Sequence, residues 1–462
     1  MDQASQPLAG RKAPASIGGI LFFVLLPLLT CHLGGCLPMA HAAPTTGLDA
    51  TVQAYRQAGL PWEAKDLPSV PHVPLDQNAD FLIQECMNAL DHDVDGLEKQ
   101  AEDLAQDGKF DQAAKLLSPF YAQAKLAKEA VRMGKIRFEH DWDEGPRVSF
   151  EELETYRRLA KLLSYRALSE ASHGQTDAAI DDLRTARKLQ DWCSQGADLM
   201  PYLIQMAVTV ILDRAEQRCA AIWAKDSAAL NKLENLEEEP RVKPDLTKAL
   251  HGSAFWLVTS CRNFDVLGGL PLIKGLKNDE PDPRPNYSPK QLKRSGLPDD
   301  PTARAYLDRV LRFWIDADAI IKSEQDDPRK IAPKMDQLVA KYSKSHSASD
   351  AVLSVELPAY TGLFPAVMRW TADAAVTKAL VKAMAIHAET GKFPPSISQI
   401  PGDWIDPCGE KPLHLKLQSG GIRIYSVGPN GKDDGGVTQH EREKVSKGSK
   451  AFDIVAAYPM PK

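Results

Sequence analysis

The chain has 462 residues, 43% hydrophobic and 26% charged, with 56 Lys and Arg against 62 Asp and Glu for a formal net charge of −6. That is ordinary globular composition, with length enough for two or three cores, and it excludes a disordered polyelectrolyte. The basic runs are short and each is interrupted by acidic residues, which excludes the basic domain or stripe that a nucleic-acid binder carries.

Arg11 and Lys12 precede an uncharged run from Ile17 to Leu33, "IGGILFFVLLPLLTCHL". A basic start followed by an apolar run is an export signal, so the sequence places the rest of the chain outside the cytoplasm of a bacterial cell. Three endings stay open. Ala40-His41-Ala42 has the A-x-A form of a cleavage site, whereas Leu33-Gly34-Gly35-Cys36 resembles a lipobox for lipid attachment at the cysteine. Left uncleaved, Ile17 to Leu37 is about long enough to anchor the chain in a bilayer. The later cysteines, Cys86, Cys193, Cys219, Cys261 and Cys408, fit no zinc spacing. They read as small buried apolar residues, with one disulfide as the alternative in an oxidising compartment.

From about Asp76 to Lys225 the pattern is helical. Ser149-Phe-Glu-Glu152 has the form of a capping box. Leu153, Tyr156, Ala160, Leu163, Ala167 and Ala171 then recur at helical spacing, and Gly174 ends the run. A second helix carries Ala179, Leu183 and Ala186. A third carries the stripe Leu199, Leu203, Ala207, Val210 and Ile211. Small residues at Ala167, Gly174, Ala179 and Ala186 resemble a tetratricopeptide repeat, and Gly108, Phe110, Ala113 and Leu117 repeat its turn and second helix. A true solenoid needs about three stacked units, so an irregular set of helical hairpins is the competing expectation.

Seven prolines lie between Pro271 and Pro301, around "NDEPDPRPNYSP", which predicts an exposed linker. A helix from Thr302 places Leu307, Val310, Leu311, Trp314, Ala317 and Ile321 on one face. Another is expected from about Pro365 to Thr390, capped by Gly391. After it, Leu413–Leu417, Ile422–Val427 and Phe452–Tyr458 alternate as strands. The expected organisation is thus an export segment over 1–43, a helical region over 44–265, a proline-rich linker over 266–301, a second helical region over 302–390 and a β tail over 391–462. The fold class is mainly α, built of helical hairpins, with a small C-terminal α+β domain containing an antiparallel sheet.

The tail "GKFPPSISQIPGDWIDPCGEKPL…IRIYSVGPNGKDDGG…FDIV" resembles the head of the major type II secretion pseudopilin. Gly391, Phe393, Pro394, Asp406, Pro407, Gly409, Pro412, Tyr425, Ser426, Gly428, Asn430, Gly431, Asp453 and Ile454 carry the likeness. Cys408 departs from the family's usual large aromatic, and Asn430 stands where aspartate is frequent. The whole chain also resembles large exported proteins of planctomycete-like bacteria, which implies no activity. The pseudopilin resemblance implies a calcium-binding loop, with Asn430 and Asp453 carried over by the match. Local composition adds Asp433 and Asp434, since calcium takes six to eight oxygens at about 2.3–2.6 Å. A solvated acidic turn is the alternative.

Asp91, Asp93, Asp95 and Glu102, with Gly96 between them, fit the bare EF-hand spacing for calcium. Glu98 and Lys99 occupy positions that this motif does not favour. "FEHDWDEG" at 138–145 gathers His140, Asp141, Asp143 and Glu144, an acid–base or metal candidate. No G-x-S-x-G, phosphate-binding loop or zinc-protease motif is present, and His440-Glu441 lacks a second histidine at 444. The sequence therefore points to a non-catalytic exported protein acting through protein partners in the cell envelope. An exported hydrolase assembled only in three dimensions and a divergent pseudopilin are the alternatives.

Overall fold

The structure, a computed structural model, describes residues 47–68, 72–90, 94–142, 148–263, 296–324, 327–343, 357–438, 441 and 453–459. The export segment, most of the proline-rich stretch, Asp91, Asp93, Asp143, Glu144 and His440 lie outside them.

The described residues include thirteen α-helices and three strands. In chain order they are α1 (Leu48–Gln57), α2 (Asp80–Leu90), α3 (Val94–Gln106), α4 (Phe110–Leu116), α5 (Tyr121–Met133), α6 (Glu151–Ser172), α7 (Thr176–Cys193), α8 (Leu199–Ile222), α9 (Ser227–Glu238) and α10 (Leu246–Arg262). Then come α11 (Pro301–Ser323), α12 (Pro328–Ser343), α13 (Pro358–Thr390), β1 (His414–Gln418), β2 (Gly421–Ser426) and β3 (Ile454–Tyr458). The expected class, mainly α with a small antiparallel sheet near the C-terminus, is what the chain adopts.

The α3–α4 and α6–α7 hairpins both turn at a left-handed glycine, Gly108 at φ +75° and Gly174 at φ +73°. Ala113, Ala167, Ala179, Leu183 and Ala186 are fully buried at the helix contacts. The two units differ in their second helix, 7 residues in α4 and 18 in α7.

The capping box at Ser149 does not form. Phe150 is the N-cap of α6 with no side-chain cap, and the Ser149 hydroxyl meets the Glu151 carboxylate instead. Glu152 turns inward to His140 Nε2 at 3.0 Å, so it cannot reach back to cap the helix. The expected stripe on α8 is likewise only half-buried. The fully buried positions are Ile204, Val208, Leu212 and Cys219, together with Gln205, Thr209, Asp213 and Glu216. The reason is position: α8 packs against α6, α7, α10 and α13 at once, so burial spreads over most of its circumference and Arg214 is left exposed. Helix α13 starts at Pro358 rather than Pro365. A proline inside a helix deletes one amide bond, and the packing of α13 on α8, α9, α12, β2 and β3 offsets that loss.

The stripe on α11 is buried as expected, from Leu307 and Val310 to Trp314 and Ile321. Each such side chain contributes roughly 1.5–3 kcal/mol. It packs with Tyr55 of α1, Leu250 and Val258 of α10, Met335 of α12 and Phe364 of α13 in one cluster. Residues expected to form two helical regions therefore share a core, and the described residues belong to one compact unit.

The sheet has the order β1-β2-β3, antiparallel throughout, with His414 opposite Tyr425 and Ile424 opposite Ala456. One face carries Ile422, Ile424, Ile454 and Ala456, all buried, and β2 and β3 pack on α13. The other face carries His414, Lys416, Arg423 and Tyr425, the period-two alternative of the same strands.

Candidate functional site

The tail is organised by two buried carboxylates. Asp406 is 2% exposed. Its Oδ1 accepts the Ser426 hydroxyl at 2.6 Å and the Cys408 amide at 2.8 Å, and its Oδ2 accepts the Val427 amide at 2.8 Å. The turn "DPCG" is thereby tied to the end of β2. Asp453, just ahead of β3, is 8% exposed and accepts the amides of Asp434 at 3.1 Å and Gly436 at 2.6 Å. Burial pushes its carboxyl up, the two amides pull it down, and the neighbouring Asp434 and Asp433 add to the rise.

The other proposed calcium ligands point different ways. Asn430 donates to Asp434 Oδ2 at 3.3 Å, and its own oxygen accepts the Lys432 amide at 3.1 Å. Asp433 turns to the sheet. Its Oδ2 lies 3.5 Å from the Tyr425 hydroxyl and 3.7 Å from His414 Nδ1, and its Oδ1 accepts the Gly435 amide at 2.8 Å. Burial works against ionisation of Asp433, but the Gly435 amide and His414 outweigh it and hold the carboxyl down. Among the described residues no three carboxylate, imidazole or thiol groups come together to hold a metal ion. In this arrangement Asn430, Asp433, Asp434 and Asp453 are each engaged in hydrogen bonds within the chain.

Of the EF-hand spacing, Asp91 and Asp93 lie outside the described residues. From Val94 onward the chain is the helix α3, not a loop that wraps an ion. Asp95 and Glu102 are seven residues apart on it, about 10 Å along the axis. Glu102 faces Arg214 at 3.8 Å, and buried Glu98 accepts from Lys161 at 2.9 Å and Arg157 at 3.3 Å.

In "FEHDWDEG", His140 Nε2 meets Glu152 at 3.0 Å and its ring packs 4.9 Å from Phe150, while Glu139 pairs with Arg137 at 3.0 Å. Trp142 reaches Phe255 of α10, with ring centroids 6.4 Å apart. A second acid–base pair joins His251 Nε2 to Asp318 at 2.9 Å, with Lys322 on the other carboxylate oxygen at 2.7 Å. All five later cysteines are buried free thiols.

The largest concentration of buried charge was not foreseen. Arg187 of α7 donates to Glu216 of α8 through Nε at 2.8 Å and Nη2 at 2.6 Å, and also bonds Glu237 of α9 and the Leu236 carbonyl. Arg241 adds contacts to Glu237 at 3.0 Å, Glu216 at 3.2 Å and Asp213 at 3.5 Å. Burial opposes ionisation of Glu216, but Arg187 and Arg241 outweigh it and hold the carboxyl at about 2. Asp213 is 2% exposed, and its oxygens accept no hydrogen bond from the described residues. Burial pushes it up to about 8, against Arg241 and with Glu216 and Asp373. Three carboxylates face two arginines there, so one proton balances the charge. Acidic residues on the long amphipathic-looking α8 were the available signal, but charge on a helix normally marks its solvent face.

Comparison with models of known families, with curated proteins and with solved structures returns no match for this chain. No helix among the described residues is long and apolar enough to cross a membrane.

Proposed function

We propose that the protein is a non-catalytic, exported component of the bacterial cell envelope that works by binding other proteins. In this reading the helical hairpins supply the partner surface, and the pseudopilin-like tail is a rigid module fixed to them. The observation that supports it most is the placement of α13. This helix leads into the tail and packs on both the sheet and the helical body; Ala372, Val376, Thr377, Leu380 and Met384 are buried along it, and Thr377 accepts a hydrogen bond from Gln217 of α8 at 2.7 Å. Arg329 of α12 bonds the Gly409 carbonyl, and Lys382 bonds the Pro401 carbonyl at 3.2 Å, so the tail is tied to the body at separate points. A filament subunit needs the helix ahead of its head free to pack against other subunits. Here its apolar positions are already used, which argues against the divergent-pseudopilin reading.

The His140–Glu152 and His251–Asp318 pairs are what favours the hydrolase alternative, since each joins an imidazole to a carboxylate. Export is tested by fusing residues 1–60 to a reporter active only outside the cytoplasm; a reporter active only in the cytoplasm overturns it. Partner binding is tested by site-specific crosslinking in cells from exposed positions of the hairpins, such as Lys109 and Lys115. Discrete heteromeric products are expected, and crosslinks to random neighbours alone overturn the reading.

A further inference from the structure

The acidic loop at 428–438 is held by cations that the chain itself supplies. Lys416 of β1 and Arg423 of β2 are cross-strand partners, so both leave the sheet on the face that the loop covers. Two like charges directly opposite are unfavourable in a sheet unless each has its own counter-group. Here each has one. Lys416 Nζ donates to the Gly435 carbonyl at 2.9 Å and lies 5.1 Å from the centre of the Tyr425 ring. Arg423 Nη1 donates to the next carbonyl, Gly436, and the same guanidinium holds Glu441 at 2.8 and 3.0 Å. That contact draws the Glu441 carboxyl down to about 2.

The loop backbone lies flat on Tyr425. Gly436 has φ +68°, and a Cβ there would come within 2.7 Å of the ring. On the other side Asp453 takes the amides of Asp434 and Gly436. The carbonyls of Gly435 and Gly436 therefore meet two cationic side chains, and the amides of Asp434 and Gly436 meet one carboxylate. A divalent cation holds a glycine-rich loop by collecting carbonyl and carboxylate oxygens. In this chain the ammonium and guanidinium collect the carbonyls.

We propose that Lys416 and Arg423 are resident cations that replace a divalent ion, so that the loop keeps its fold without metal. The inference is independent of the partner-binding reading. Hydrogen–deuterium exchange on the full chain tests it at the amides of Asp434 and Gly436. Exchange there is expected to be equal in excess EDTA and in excess calcium chloride. Lys416→Gln, at an exposed position, is expected to speed it at least tenfold, with Lys416→Arg restoring most of the protection. Calcium slowing exchange tenfold in the parent protein, or Lys416→Gln exchanging at the parent rate, overturns the proposal. Should Arg423→Gln unfold the tail, the Lys416 pair of variants still decides.

Discussion

Asp406 and Ser426 stand 20 positions apart in the chain and 2.6 Å apart in the structure, hydroxyl to carboxylate. The same carboxylate takes the Cys408 and Val427 amides, so one buried acid fixes both turns of the tail. Asp406→Asn puts an amide N–H against at least one of these donors. A loss of about 2–3 kcal/mol is expected in a urea melt, because hydrogen bonds to a buried charge are lost and a donor is left unsatisfied. Ser426→Ala removes one bond only and is expected to cost about 1 kcal/mol. Equal stability of the Asp406→Asn and parent proteins would refute this role.

Gly252 on α10 is a close-approach glycine. A Cβ there would lie 1.5 Å from the Ala197 carbonyl oxygen and 2.8 Å from the Asp198 Cα, both backbone atoms that cannot step aside. Gly252→Ala is expected to cost about 3 kcal/mol or more, at the upper end of overpacking. Gly362 on α13 is the contrast, exposed and with nothing within 4 Å of its added Cβ. Gly362→Ala is expected to stabilise by about 0.5–1 kcal/mol through helix propensity. Thermal melts of the two variants shifting in the same direction would contradict the contact geometry.

The pH dependence of stability is set in part by Asp213. Its folded value of about 8 lies above the ordinary carboxylate value of about 3.9. The folded protein therefore keeps a proton that the unfolded chain releases. Its stabilisation is full below about pH 4 and is lost as pH rises through about 8. Asp213→Asn carries the neutral form at every pH. It is expected to flatten the fall in melting temperature between pH 6 and 9 and to be the more stable protein at pH 9. An unchanged slope in the variant would place the retained proton on another group of the cluster, such as Glu237, whose carboxyl burial and Glu216 also push up.

Arg187 is the hub of the same cluster, since it holds Glu216 and Glu237 together. Arg187→Leu leaves carboxylates buried against a single remaining arginine. A loss of about 3–5 kcal/mol is expected, the usual result of breaking a buried pair from one side. Part of that loss is expected to be recovered by adding Glu237→Gln, read as a coupling in a double-mutant cycle. Strict additivity of the two changes would mean that the residues do not act together.

Local chemistry determined much of the fold. The α6–α7 hairpin follows from its apolar period and from Gly174, whose left-handed turn needs no side chain to support it. The stripe on α11 and the strands β2 and β3 follow in the same way, because each is a short-range pattern with a face to bury, whereas Leu417 of β1 stays exposed. The α8 stripe failed because a helix packed against four others has no single core face, and its Asp213 and Glu216 read as solvent positions. Their partners Arg187, Glu237 and Arg241 lie on other elements, where no spacing rule relates them. Residues 94–106, which take in part of the EF-hand spacing, form a helix. In the tail the sequence determined the strands and the acidic, glycine-rich loop. Only the tertiary structure decided what faces that loop, because the register that sets Lys416 against Arg423 brings two cations over its carbonyls.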